Sequence, residues 1–193
     1  QIIDAAETVI FNKGIHKATM EDIAKQAELG KGTLYGYYKS KAEILLAINE
    51  RALRKLGDLF AEVAAAESGN GAQKVRSIGK AYIRFAYEYP EYYNFISLFE
   101  AGNVAVDAEE SAKNAHRANC ELVDAIKCGI EDGSIRSDIN PETVSRCLWA
   151  MCTGVIQLVH VKGEVIAKRQ NILAKEIFKQ FFDIVDQGLM TLE

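Results

Sequence analysis

Two prolines in 193 residues, with apolar side chains returning every three or four positions along almost the whole chain, constrain this sequence more than any other feature. Proline breaks helices because it lacks an amide donor and clashes with the preceding turn, so its scarcity removes the commonest interruption. The three-to-four spacing lays one apolar stripe on each helix, while strand-like alternation is nowhere sustained. Together they predict an all-α fold of about nine helices.

Capping residues and glycines place those helices. Ile2, Ala6, Val9 and Ile10 make the stripe of a first helix that Gly14 closes. Thr19 with Asp22 three residues on is a capping-box start for a helix of barely two turns, with Ile23, Ala24 and Ala27 facing inward. After a break at Glu28-Leu29-Gly30, Lys31 to Tyr37 makes a second very short helix. Ser40 with Glu43 repeats the capping signature before a long helix from near Lys41 to about Glu67, where Ser68-Gly69-Asn70-Gly71 reads as a linker. Further helices are expected over roughly 72–89, from Pro90 through Phe99, over 107–131, from Asn140-Pro141 to near Gly163, and from Val165 to about Leu192. Residues 1–48 would then be a small three-helix domain and 49–193 a larger helical one.

The composition, 49% hydrophobic and 26% charged, suits a packed globular chain of ample length for a core. No stretch reaches the roughly 20 uninterrupted apolar residues of a membrane span; the apolar segment around Trp149 is broken by Thr153, Gln157 and His160. The opening IIDAAETVIF carries no charged leader, so the expectation is a cytoplasmic protein with no membrane partner. Cys120, Cys128, Cys147 and Cys152 lack metal-type spacing and read as free thiols. No metal cluster, nucleophile–base pair or phosphate-cradling glycine loop is evident, so no metal, cofactor or enzymatic activity is expected.

The net charge of −4 would argue against a nucleic-acid partner only if charge were spread evenly. It is not, because residues 29–42 hold Lys31, Lys39 and Lys41 and no acid, and phosphate recognition depends on the local patch. Two short helices joined by a tight turn, the second rich in small, hydroxyl and aromatic side chains, match a DNA-reading helix-turn-helix. Lys31 to Tyr37 would be its reading helix. Ala24 and Ala27 are small where the helices cross, and Leu29 and Leu34 pin the crossing. Lys31 is the best-placed base reader, Gly32 allows close approach, Thr33 suits a phosphate or a thymine methyl, and Tyr35 and Tyr37 offer hydroxyls. Lys41 opens the next helix, where a positive dipole end and an ammonium together favour a phosphate.

The run from Ala18 to Leu45, ATMEDIAKQAELGKGTLYGYYKSKAEIL, resembles the TetR/AcrR family of transcriptional regulators. There a Thr-initiated helix leads through an Ala-Gly-Val-Ser-type turn to G-T-L-Y-x-Y-F-x-S-K. The resemblance implies that Thr19, Tyr37 and Lys41 grip phosphates of a double-stranded operator while Lys31, Gly32, Thr33 and Tyr35 face bases or the groove wall. Gly36 stands where the family often carries a bulky aromatic. Glu28 replaces the usual turn glycine, and Gly30 replaces the usual N-capping serine.

The resemblance further implies a homodimer through the last two helices and a small-molecule effector in the larger domain. The rings around Pro90 either line a ligand pocket or fill the core; Tyr82, Phe85, Tyr89, Tyr93 and Phe99 are the ligand candidates. His116, Asn119, Cys120, Trp149 and Cys152 would supply polar or polarisable contacts, with a solvated surface as the alternative for His116. Gln157 and His160 suit a dimer seam or a pocket equally. Trp149, Val155, Ile156, Val159, Ile177, Phe178, Phe181, Phe182 and Val185 give the last helices a surplus of apolar surface that suggests an interface. The reading is of a ligand-responsive repressor; a helical ligand-binding protein without DNA function is the alternative.

Overall fold

The computed structural model describes residues 1–100 and 108–190, with the side chains of 1–99 and 119–190. Among these the elements are α1 (Ile2–Lys13), α2 (Met20–Gln26), α3 (Lys31–Tyr37), α4 (Lys41–Ala66), α5 (Gly71–Glu88), α6 (Pro90–Glu100), α7 (Ala108–Glu131), α8 (Pro141–Gln170) and α9 (Ala174–Leu189). No strand occurs among the described residues, and the all-α expectation holds.

Local chemistry sets most ends. Gly14 closes α1 at φ +82°, a left-handed value that a side chain would resist. Thr19 and Asp22 make both halves of the capping box that opens α2. At α4, Ser40 Oγ accepts the Glu43 amide at 3.3 Å, but the Glu43 carboxylate takes the amide of Lys39, at 2.7 Å, so the reciprocal bond lies one residue earlier than a box requires. Asn70 and Gln73 form a full capping box at α5, within the stretch that reads as a linker in sequence. Asn140 caps α8 through the Thr143 amide at 2.8 Å, with Pro141 at the first helical position.

The break between the last two helices lies further on than the sequence suggested. α8 passes straight through Gly163 and ends at Asn171 in the left-handed conformation, φ 55° and ψ 33°, with Lys168 and Arg169 in its final turn. A mid-helix glycine costs only about 1 kcal/mol, and the intervening bonds and packing outweigh it. The longer α8 is also apolar enough, by length and composition, to cross a membrane, although only 28% of its most apolar stretch is buried. Arg146, Gln157, His160 and Lys162 interrupt its exposed surface, where a lipid-embedded helix would rarely carry charge.

Packing divides the chain into two units, Gln1–Arg54 with Glu91–Ala115, and Lys55–Pro90 with His116–Glu193. The sequence suggested one cut near residue 48. α6 joins the first unit because Phe95 and Phe99 are buried in the same core as Val9, Ile10, Ile23, Leu34, Ile44 and Ile48. Phe11 meets the rings of Tyr92 and Phe95 edge-on, while Tyr92 Oη and Arg51 both donate to the Glu7 carboxylate, at 2.9 and 3.0 Å. In the second unit α5 packs against α8 and α9, and the start of α5 lies directly on α7 at Gly71 and Gly129.

Candidate nucleic-acid interface and ligand cavity

α3 occupies the seven residues expected from the sequence, and among them only Leu34 is buried, at 0% exposure. The other six positions face outward, including Lys31, Gly32, Thr33, Tyr35 and Tyr37, the last 69% exposed. One pin from a seven-residue helix into a core, with every remaining side chain exposed, presents a short rod of mixed hydroxyl, amine and ring groups. Such a rod can enter a major groove without giving up any packing.

The turn ahead of α3 runs through Glu28 at φ 56°, where a left-handed backbone costs a residue with a side chain about 1–2 kcal/mol. A glycine there would be free of that cost. Gly30 caps α3 without a side-chain bond, as expected. The Lys31 ammonium lies 3.7 Å from Glu21, both side chains well exposed, a pairing weak enough to be exchanged for phosphate or base edge.

Thr19 and Lys41 are more committed than a phosphate-gripping role suggests. The Thr19 hydroxyl accepts the Asp22 amide and donates to the Asp22 carboxylate at 2.9 Å, so its proton is in use. Lys13, at 2.6 Å, and then Thr19 hold that carboxyl at about 2. The cap is therefore charged at neutral pH, and its contribution fades only as pH falls below the ordinary carboxylate range toward 2. Lys41 donates to the carbonyls of Ile15 at 2.8 Å and Ala18 at 3.0 Å, tying the start of α4 to the α1–α2 connection and leaving one ammonium proton for a phosphate. Lys41→Ala is therefore expected to cost about 1–2 kcal/mol of folding stability in the absence of DNA, read as a lower urea midpoint.

The second unit holds a cavity of about 40 Å³ lined by residues of α4, α5, α7, α8 and α9. That is room for a few waters, so any ligand must widen it. Of the ligand candidates, Tyr82, Trp149 and Cys152 line it, Tyr82 stacked on Trp149 with centroids 4.8 Å apart. Phe85 is fully buried but outside the lining, against Tyr89, which also lies under the Lys55 ammonium. Tyr93 and Phe99 belong to the first unit, because the run of rings is divided at Pro90. Asn119 donates to Ser145 Oγ at 2.9 Å, and neither it nor Cys120 is in the cavity wall. The His116 side chain lies outside the described residues.

Phe60 and Arg76, which the sequence did not single out, and Phe182, expected at an interface, also line the cavity. Phe182 packs so close to α5 that a Cβ added at Gly79 would lie 2.8 Å from its ring. Ile156, Val159, Phe182 and Val185, expected at an interface, are spent in the interior. Exposed instead are Met151, Leu158, Val161 and Val165, spaced seven, three and four residues apart along one face of α8, and Ile184 on α9.

Residues 2–48 match the family model described as bacterial regulatory proteins, tetR family, and residues 75–177, more than half of the chain, match that of the tetracyclin repressor-like C-terminal domain. The transcriptional repressor KstR2 of Rhodococcus jostii is 25% identical over 98% of this chain and 89% of its own length. The fatty acid metabolism regulator protein of Bacillus subtilis is 48% identical over 48 residues, a quarter of each chain. The structure of FadR from Bacillus subtilis, in complex with stearoyl-CoA, superposes with a TM-score of 0.74 over 97% of both chains at 17% identity, a likeness of fold.

Proposed function

The chain belongs to the tetR family of bacterial regulatory proteins, and on that premise we propose that this DNA-binding transcriptional regulator is a repressor, released from its operator when a small, largely apolar effector enters the cavity at Tyr82, Trp149 and Cys152. Family members are regulators rather than enzymes, and they bind DNA operators and small ligands. Residues 1–48 carry the DNA-reading part and 49–193 the effector and dimer functions. The protein works in the cytoplasm, beside its operator.

One observation carries the reading, namely that α3 is exposed at every position but Leu34. The dimer rests on the exposed stripe of Met151, Leu158, Val161 and Val165 with Ile184, apolar surface that a second copy would cover. Two copies would set their α3 helices in successive major grooves, about 34–36 Å apart. Release requires an effector that binds the DNA-incompetent state better, by about 1–3 kcal/mol for a typical coupling. The apolar lining and the stearoyl-CoA seen on the Bacillus subtilis FadR both favour a hydrocarbon-rich effector.

Selection from a random DNA pool tests this directly. A palindromic site should emerge, with affinity falling steeply as salt rises. Lys31→Ala is expected to weaken the selected site about tenfold while narrowing its margin over mismatched sites, whereas Tyr37→Phe weakens all sequences alike. Binding without sequence preference or salt dependence would instead favour a ligand-binding protein with no DNA function.

A further inference from the structure

Among the described residues four polar groups stand in the otherwise hydrocarbon wall of the cavity, and three are already provided for. The Tyr82 hydroxyl is bonded to Thr153 Oγ1 at 3.0 Å. Burial pushes the Cys152 thiol up to about 12, which keeps it uncharged at neutral pH. The Arg76 guanidinium pairs with two carboxylates of α9, Asp186 and, at 3.8 Å, Asp183. Trp149 is the exception. Its Nε1 is buried and has no acceptor among the described residues, although the tryptophan forms part of the cavity wall. Buried donors are nearly always satisfied, and one that is not invites an acceptor from elsewhere.

We propose, resting on the reading of this cavity as the effector site, that the buried part of the effector is uncharged and carries one carbonyl oxygen, of a ketone, ester or thioester, that accepts the Trp149 Nε1 hydrogen. Each competing chemistry meets an obstacle in the wall. A free carboxylate would be desolvated beside hydrocarbon, and Arg76, the one cation among the described lining residues, already serves two aspartates and offers no unclaimed counter-charge. An alcohol brings a proton of its own to a wall with no carboxylate or amide oxygen to receive it. A plain hydrocarbon leaves Nε1 as it is. A carbonyl alone adds an acceptor and nothing that itself needs satisfying.

Trp149 is the chain's one tryptophan, so a ¹H–¹⁵N spectrum of the full chain contains a single indole resonance. Octan-2-one, sodium octanoate and octane, titrated separately at pH 7, distinguish the chemistries. Octan-2-one is expected to move the indole proton downfield and to bind at least about tenfold more tightly than octanoate. Trp149→Phe should weaken octan-2-one about three- to tenfold relative to octane, the loss of one neutral hydrogen bond beyond any change in the shape of the wall. Octanoate binding as tightly as octan-2-one, or an unmoved indole while the Leu148 methyls respond, would overturn the carbonyl assignment and leave the cavity as the effector site. Should no probe perturb either the indole or the Leu148 methyls, both readings fall together.

Discussion

Leu34→Ala is expected to weaken binding of the selected operator by at least about 100-fold, as read by fluorescence anisotropy, and to lower the stability of the N-terminal unit by about 2–5 kcal/mol. The size of the effect follows from how little else holds α3. The helix has seven residues and no side-chain N-cap, and Leu34 is its one buried side chain, seated among Ile10, Ile23, Ala24, Ile44 and Ile48. Helices this short do not persist in water on their own, so the pin supplies their order. Against a total stability of about 5–15 kcal/mol, the loss would leave α3 frayed even where the rest of the unit stays folded. Tyr37→Phe, at a site 69% exposed, is expected to leave the unfolding midpoint unchanged, which separates loss of the rod from loss of a contact. An unaltered midpoint and operator affinity in Leu34→Ala would show that α3 is held by something other than its packing.

Gly71→Ala is expected to lower stability by about 3 kcal/mol or more, a cost at the upper end for overpacking, read from thermal or urea unfolding. An added Cβ would run into the backbone N and Cα of Gly129 and lie 2.8 Å from the Ala125 carbonyl oxygen. All three are main-chain atoms, so no rotamer change relieves the clash and α5 must move off α7. That shift would strain the bonds that anchor the start of α5, from the Gly71 amide to the Asp132 carboxylate at 2.7 Å and from the Ala72 amide to Ser134 Oγ at 3.1 Å. Gly129→Ala makes a milder comparison, since its new methyl would meet the Ile135 side chain, at 2.5 Å from Cδ1. If Gly71→Ala proved no worse than Gly129→Ala, the close approach of the two helices would not be the constraint it is taken for.

The DNA-reading half was legible because its signals are local. Thr19 with Asp22 fixes a start, Gly14 a stop, and the order of small, hydroxyl and aromatic residues from Lys31 to Tyr37 leaves a single apolar position to bury. Hidden from that reading were the bonds of Lys41, because Ile15 and Ala18 lie more than twenty residues before the lysine that caps them. The ligand half was harder to read. Tyr82, Trp149 and Cys152 stood out as a large polarisable set, but Phe60 and Phe182 look like any core phenylalanine, and Arg76 like any surface arginine.

Periodicity, caps and glycines, each acting over a turn or two of chain, were enough to determine the helical class, nearly all of the helix starts and the exposed rod of α3. Packing decided what those signals cannot encode: that α6 joins the first core, that α8 runs on past Gly163, which face of the last helices stays bare, and that Trp149 Nε1 is buried without an acceptor among the described residues. The reason is the range of the interactions. A helix stripe says that a face will be buried, but its partner is chosen by shape and volume between segments far apart in the chain, and no local pattern records that choice.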